Sequence, residues 1–288
     1  MVRKIKVIAE LVGMTYREWR EQKPELIGAA IAFYIIFSLG PILVIIVEAA
    51  GLIFGKAVAE GQIVHEFKTM VGENFAEVIQ AIIVNAETPP AQTITMIISI
   101  PMILFGSTMI FFQLKNALNY IWGYKSISGS FGKLARNYIS SFVMVLFLGG
   151  LLLTLILKSF VLTLLAVFLK RIIPFPMLLL SILDWFVTFA VITFLFAMIY
   201  KILTEPEIRW SDEWIGAAVT SLLLMVSQYF IGVYFRKIDI GSALGAIGSF
   251  TLLLIWVYYS SLVFLLGAVF TKVYAREYGS LHEHFDGQ

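Results

Sequence analysis

Six long apolar runs divide the chain, and shorter polar connections separate them. They cover residues 28–54, 94–113, 138–169, 178–203, 214–235 and 246–270. Each run reaches the roughly 20 residues that an α-helix needs to cross about 30 Å of hydrocarbon. The pattern therefore predicts an all-α, polytopic membrane protein with six transmembrane helices. The third run is longer than one span requires, so its helix either tilts strongly or leaves the membrane near Lys158.

The segment before the first span has helical periodicity without enough apolar residues to cross a bilayer. Apolar positions recur every three or four residues among basic ones, at Ile5, Ile8, Val12, Tyr16 and Trp19. This spacing predicts an amphipathic helix lying on the inner leaflet, attracted to anionic lipid. A cytoplasmic helix packed on the protein itself explains the pattern equally well.

A second amphipathic stretch lies between spans one and two, within residues 55–93. Its apolar positions from Ile63 to Ile83 follow helical spacing, and Gly72 divides them before the capping signature "NFAE" at 74–77. We expect two helices forming an external amphipathic cap. Such a cap is usually a packed connection, and a gate is the alternative.

Lys and Arg are unevenly distributed between the two sides of this topology. They are concentrated in the N-terminal segment, in the 114–137 and 204–213 connections and in the tail. This bias predicts that both termini are cytoplasmic. The predicted organisation is a cytoplasmic interfacial segment (1–27), a six-span membrane domain (28–275) and a cytoplasmic tail (276–288).

Composition agrees with a membrane protein and excludes several kinds of chemistry. The chain is 60% hydrophobic and only 14% charged, whereas soluble domains have about 25% charged residues. A net charge of +2 is too small for a nucleic-acid-binding surface. Without cysteine, thiol catalysis and thiolate metal sites are excluded. We expect no metal, cofactor or nucleic-acid partner.

Polar residues inside four spans suggest a common site. Glu48 follows Pro41, which should kink span one. Lys158, Asp184 and Gln228 lie on spans three, four and five at a similar predicted depth, towards the outside. We expect these four polar residues to line an outward-opening polar cavity beside the kink, because buried charges need partners or water. Snorkelling of the same side chains to the headgroups is the alternative.

Small and basic residues give two further predictions. Gly241, Gly245 and Gly248 at the start of span six favour close helix packing, with a broken or re-entrant helix as the alternative. Basic residues on the predicted inner surface are expected to contact lipid headgroups; they are Arg3, Lys4, Lys6, Lys133 and Arg136.

Other polar residues have structural explanations. Asp212 and Glu213 form an acidic first turn for span five. Asn119 lies where span two leaves the membrane and should be solvated at headgroup level. Tyr258 and Tyr259 fall in the middle of span six, where their hydroxyls should find partners inside the bundle.

Four stretches resemble the YihY/BrkB family of bacterial inner-membrane proteins over about residues 28–275. They are "GAAIAFYIIFSLGP" (28–41), "FFQLKNALNYIWG" (111–123), "IRWSDEWIGAAV" (208–219) and "GSALGAIGSFTLLLIWVYYSSLVFLLGA" (241–268). The family often has an acidic residue where this chain has Val269. The resemblance implies an inner-membrane location. The family has been labelled a ribonuclease, and its relatives have been associated with envelope integrity, virulence and lipid export.

The residues do not support the ribonuclease label. RNA hydrolysis needs an acid and a base within reach, or carboxylates that bind metal. His65 lies in the cap, and His282 and His284 lie in a polar tail with no HExxH motif. The sequence therefore predicts no catalytic residues and no enzyme.

The remaining functional interpretation is a transporter or flippase of an envelope lipid or other anionic amphiphile. A non-transporting membrane scaffold or envelope-assembly factor is the alternative. Membrane lipids, including anionic ones, are the expected partners, and a homo-oligomer is left open.

Overall fold

Every regular element in the computed structural model is an α-helix within the residues that it describes, which are 2–71, 73–87, 109–124, 176–206, 208–237 and 240–281. The helices are α1 (Val2–Glu21), α2 (Pro24–Phe54), α3 (Lys56–Val71), α4 (Glu73–Glu87), α5 (109–121), α6 (Pro176–Leu203), α7 (Trp210–Lys237) and α8 (Ile240–Glu277). The all-α prediction is therefore confirmed over these ranges.

Three helices of the described ranges are long and apolar enough to cross a membrane. They are Leu180–Leu203, Trp210–Tyr234 and Phe250–Glu277, which correspond to predicted spans four, five and six. A fourth is obtained if Ala9–Glu21 and Pro24–Gly40, which meet at 73°, form one bent span. Most of predicted span two and all of span three lie outside the described residues, so the count of six stays a prediction.

The corner between α1 and α2 has a local cause. Lys23 adopts a left-handed conformation with φ 48°, which ends the helical path of α1. Pro24 then occupies the first turn of α2, where its missing N–H costs nothing and its fixed φ suits a helix start. The chain continues as α2 at a steep angle to α1. Helix α2 is helical on both sides of Pro41, and a kink there stays a prediction.

Helix α1 packs on the protein through one face. Leu11 is buried in the main core, and Met14 packs against the same core. Glu18 forms ion pairs with Lys272 and with Arg276 of α8, the latter at 3.2 Å between Oε2 and Nη1. Of the two alternatives for this segment, packing on the protein is thus observed for this face.

A different face of α1 is left exposed. Val12 and Tyr16, from the predicted apolar stripe, have exposed fractions above one half. Contact of this second face with the inner leaflet stays a prediction.

The α3–α4 pair packs on α2 and α8. Its buried side chains include Ile63, Ile79 and Ile83, and they join the second core cluster together with Leu43 and Val47 of α2. Two amphipathic helices on either side of residue 72 agree with the predicted periodicity. Their role as an external cap stays a prediction.

Helix α8 is helical without interruption from Ile240 to Glu277. A helix break at Gly241, Gly245 and Gly248 is therefore wrong, because a continuous helix passes through all three glycines. A re-entrant path of this segment stays a prediction. Gly248 is buried. A role of these glycines in close packing stays a prediction.

Candidate functional site

The predicted polar cavity is only partly within the described residues. Asp184 on α6 and Gln228 on α7 are half-buried, and Glu48 belongs to α2. Lys158 lies outside the described residues, so the cavity stays a prediction.

The predicted headgroup contacts are also only partly covered. Lys133 and Arg136 lie outside the described residues. Arg3 and Lys4 belong to α1, and Lys6 on the same helix is exposed. Contact of these basic residues with lipid stays a prediction.

The structure brings another set of polar residues together, where the end of α6 meets the start of α7 and the second half of α8. Tyr200, with an exposed fraction of 1%, donates a hydrogen bond from its Oη to the backbone oxygen of Phe264 at 2.9 Å. The same hydroxyl lies 3.0 Å from Thr220 Oγ1. Thr220 Oγ1 in turn donates to the backbone oxygen of Gly216 at 2.7 Å. We call this region the polar core.

The two hydroxyls of the polar core have fewer hydrogens than close oxygen contacts. Tyr200 and Thr220 together supply two hydroxyl hydrogens. Three oxygen–oxygen contacts of hydrogen-bond length compete for them. One of the three contacts therefore lacks a hydrogen.

Glycines allow α7 and α8 to approach closely beside these hydroxyls. A Cβ on Gly216 would overlap the Thr271 side chain, and a Cβ on Gly267 would overlap Thr220. The two contacts are reciprocal, since each helix offers a glycine to a threonine of the other. Close small-residue packing in α8 thus occurs here, in its second half.

Glu213 is the most unusual member of the polar core. It lies in the first turn of α7 with an exposed fraction of 0%. Neither of its carboxylate oxygens has a hydrogen-bond partner in the described part of the chain. Lys201 attracts this carboxylate and Asp212 repels it. Lys201 itself, however, donates its ammonium hydrogen bond to the backbone oxygen of Ile208.

Asp212, one residue earlier, is fully used by the fold. Its Oδ2 accepts the backbone N–H of Ser280 at 2.7 Å, and its Oδ1 accepts the Ser211 hydroxyl at 3.1 Å. The acidic first turn predicted from the sequence is therefore present. Both acids occupy this turn, and of the two Asp212 is the one with hydrogen-bond partners in the described part of the chain.

Asn119 corrects a second prediction. It was expected to be solvated, but it is 3% exposed and its Oδ1 accepts the backbone N–H of Glu205 at 3.1 Å. The reason is that the turn after α6 needs an internal acceptor for its backbone N–H. Nearby, Lys272 donates to the backbone oxygen of Ile121 at 2.8 Å, so α5 is tied to α8 as well.

The tyrosines of span six also differ from expectation. Tyr259 is 51% exposed, so it does not lie inside the described bundle. Tyr258 is half-buried beside a groove between α2 and α8. Among the described residues, Tyr200 on span four is a tyrosine whose hydroxyl is bonded in the interior.

Comparison with known proteins identifies the family. A family model described as virulence factor BrkB matches residues 15–286, which is nearly the whole chain. The chain belongs to the BrkB family. Two of the segments by which the chain resembles this family, residues 208–219 and 241–268, supply Glu213, Gly216 and Gly267 to the polar core.

Two distant relatives match the chain over most of their length. A UPF0761 membrane protein of Aeromonas salmonicida is 27% identical over 245 residues, covering 83% of this chain and 79% of the relative. Another, from Mannheimia succiniciproducens, is 22% identical over 273 residues, covering 91% and 88%. A shorter match, to a UPF0761 membrane protein of Tolumonas auensis, is 35% identical over 75 residues, or 26% of this chain and 25% of the relative. No solved structure matches the chain.

Together with the apolar helices, these similarities show a multi-pass membrane protein. None of the three relatives has a name that describes an enzyme. In the described ranges of the BrkB-family chain, no three His, Asp or Glu side chains form a group that could bind a metal ion. The polar core, with its buried hydroxyls and the carboxylate of Glu213, is the candidate functional site.

Proposed function

We propose that this protein is a transporter or flippase that moves an anionic amphiphile, such as an envelope lipid, across the bacterial inner membrane. Its termini are cytoplasmic in this proposal, and it acts on lipid without nucleic acid or enzymatic chemistry. The observation that supports it is the buried carboxylate of Glu213, which has no hydrogen-bond partner in the part of the chain that the structure describes.

An unpaired buried carboxylate is expensive, and a purely structural role does not explain it. Burying a polar group without a hydrogen bond costs about 1–3 kcal/mol by mutational measurements, and burying a charge costs more. Ionisable residues on membrane-spanning helices usually face ion or substrate pathways. Glu213 therefore belongs, in this proposal, to a region that changes conformation. In the second conformation its carboxylate binds a proton, a cation or the ammonium group of Lys201.

The turn between α6 and α7 is the element that would change between the two arrangements. Lys201 now donates to Ile208 in this turn and stacks over Trp210, with its Nζ 5.7 Å from the ring centroid. If Lys201 released Ile208, its ammonium would be free to pair with Glu213. The turn would then shift the end of α6 relative to the start of α7.

Basic residues where α1 meets α2 support an anionic substrate. Arg17, Arg20 and Lys23 are all exposed there. On the predicted cytoplasmic side, each such charge is worth about 1 kcal/mol of attraction to anionic lipid. An anionic headgroup would therefore concentrate at this corner of the molecule.

A flipping assay with the full-length protein tests the proposal. The protein is reconstituted in vesicles containing phosphatidylglycerol with a fluorescent headgroup, and the accessible fraction is quenched from outside over time. We expect faster exchange than in protein-free vesicles, and slow exchange with Glu213→Gln. Glu205→Gln is the matched control, because Glu205 lies in the same turn with a half-exposed side chain. Exchange no faster than in protein-free vesicles would refute transport of this lipid.

A scaffold or envelope-assembly factor is the second candidate. The ion pairs of Glu18 with Lys272 and Arg276 favour it, because they fasten α1 to α8 and restrict movement. A scaffold should keep its cellular role when Glu213 is replaced by Gln. A transporter should lose it.

A further inference from the structure

A groove between α2 and α8 forms a second candidate site, apart from the polar core. Its volume is about 450 Å³, within the range of small-molecule sites. Its lining is apolar except for one tyrosine hydroxyl, and includes Ala29, Phe33 and Phe37 of α2 and Phe250, Leu254 and Tyr258 of α8. Since Phe250 and Leu254 belong to a candidate membrane span, the groove opens towards hydrocarbon.

The dimensions of the groove favour a thin apolar occupant. Beside the groove, Gly28 lets Leu262 of α8 approach α2 closely, since a Cβ on Gly28 would lie 2.8 Å from Leu262 Cδ2. From Ala29 to Phe37 the helix rises about 12 Å. The stated volume over that length gives a mean cross-section of about 40 Å². A single hydrocarbon chain fits a groove of this width.

One face of α2 continues from this groove to the exposed basic residues where α1 meets α2, which are Arg17, Arg20 and Lys23. We call these three residues the basic corner. Lys23, Leu26, Ala29, Phe33 and Phe37 follow one another at helical spacing, and all five are exposed. This stripe is about 21 Å long. A bilayer measures about 40–45 Å with its headgroups, so the stripe matches the length of one leaflet.

We propose that the groove binds one acyl chain of an anionic membrane amphiphile, whose headgroup lies at Lys23 and Arg20. This inference rests on the proposed function for the identity of the ligand, which is the substrate class of the transporter. The apolar groove excludes a polar solute, and the basic corner selects the charge of the headgroup. Helix α2 thus aligns the amphiphile along a single leaflet.

Photo-crosslinking in nanodiscs tests this site with the full-length protein. The nanodiscs contain phosphatidylcholine and a minor fraction of phosphatidylglycerol with a diazirine in one acyl chain, and labelled residues are mapped by mass spectrometry. We expect labelling of residues 29–37 and 250–258 to exceed several-fold the labelling around Phe230. Phe230 on α7 is the internal reference, because its exposed fraction of 64% is close to the 62% of Phe33 and it lies outside the groove.

Two variants and a competitor sharpen the result. Ala29→Trp should fill the groove and abolish its labelling, whereas Ala57→Trp, at an exposed position of α3, should not. Lys23→Gln should lower labelling about fivefold, the factor given by about 1 kcal/mol per surface charge. Unlabelled phosphatidylglycerol should compete in the wild-type protein, so the test does not depend on folding of Ala29→Trp.

Three outcomes would overturn the proposal. Equal labelling of the groove and of Phe230 would show no site. Crosslinks between two copies through the groove would show a dimer contact. Equal labelling by a phosphatidylcholine probe would refute the anionic headgroup. Failure of this test with flipping intact removes the groove but not transport, and groove labelling without flipping removes transport but not the site.

Discussion

At the residue scale, the two neighbouring acids in the first turn of α7 differ in their hydrogen bonding. Asp212 accepts two hydrogen bonds, while Glu213 accepts none within the described chain. Both benefit from the partial positive charge of a helix N-terminus. Of the two, only Asp212 has hydrogen bonds in the described chain that offset the desolvation free energy of its carboxylate.

These circumstances predict opposite effects of removing each charge. Glu213→Leu should raise the free energy of unfolding by about 1–3 kcal/mol, because an unsatisfied buried polar group is replaced by an apolar one. Asp212→Leu should lower it by a similar amount, because the Ser280 N–H loses its acceptor. Thermal unfolding in detergent measures both. A destabilised Glu213→Leu protein would show that the carboxylate has a structural partner.

At the element scale, contacts of α7 with α8 depend on the absence of two Cβ atoms. Gly216→Ala and Gly267→Ala should each destabilise the protein by about 1–3 kcal/mol, the usual cost of overpacking a core. Gly13→Ala is the control, since its added Cβ would meet nothing within 4 Å beyond its chain neighbours and the backbone of its own helix. That change in the middle of α1 should stabilise the protein by up to about 1 kcal/mol through helix propensity.

Unfolding midpoints of the three variants decide this prediction. If Gly216→Ala and Gly267→Ala behave like Gly13→Ala, α7 and α8 do not pack as closely as the structure shows.

At the scale of the whole molecule, the predicted topology has cytoplasmic termini and an external segment between spans one and two. The chain has no cysteine, so single cysteines report accessibility cleanly. We expect Ser128→Cys and Gln288→Cys to resist an impermeant thiol reagent in intact cells, and Gln62→Cys to react. Permeabilised cells, in which all three should react, are the control. Labelling of Gln288→Cys from outside would refute cytoplasmic termini.

The local elements of this protein follow from the sequence to a large extent. Apolar runs and amphipathic spacing predicted helices that match α2 to α4 and α6 to α8, because helical hydrogen bonds and spacing are local properties. The periodicity of the first 22 residues likewise predicted α1. It did not determine which face packs, since Leu11 and Glu18 depend on α8, far along the chain.

The candidate site was less accessible to sequence reasoning. Depth along each span placed Glu48, Lys158, Asp184 and Gln228 at one level, but depth does not determine which way a side chain faces. Tyr200 gave no signal as one aromatic residue among many in an apolar run. The "SDE" sequence at 211–213 did mark Glu213, but the pattern alone assigned both acids the same place in an acidic first turn.

The sequence by itself determined that this is a helical membrane protein of the BrkB family, because composition, helical periodicity and the order of motifs are properties of the linear sequence. Only the tertiary structure decided which polar groups leave water and which find partners. Tyr200 bonds to Phe264, 64 residues away, and the groove joins α2 to α8 from opposite ends of the chain. Such contacts arise where distant helices meet, so their energies depend on packing that no local pattern encodes.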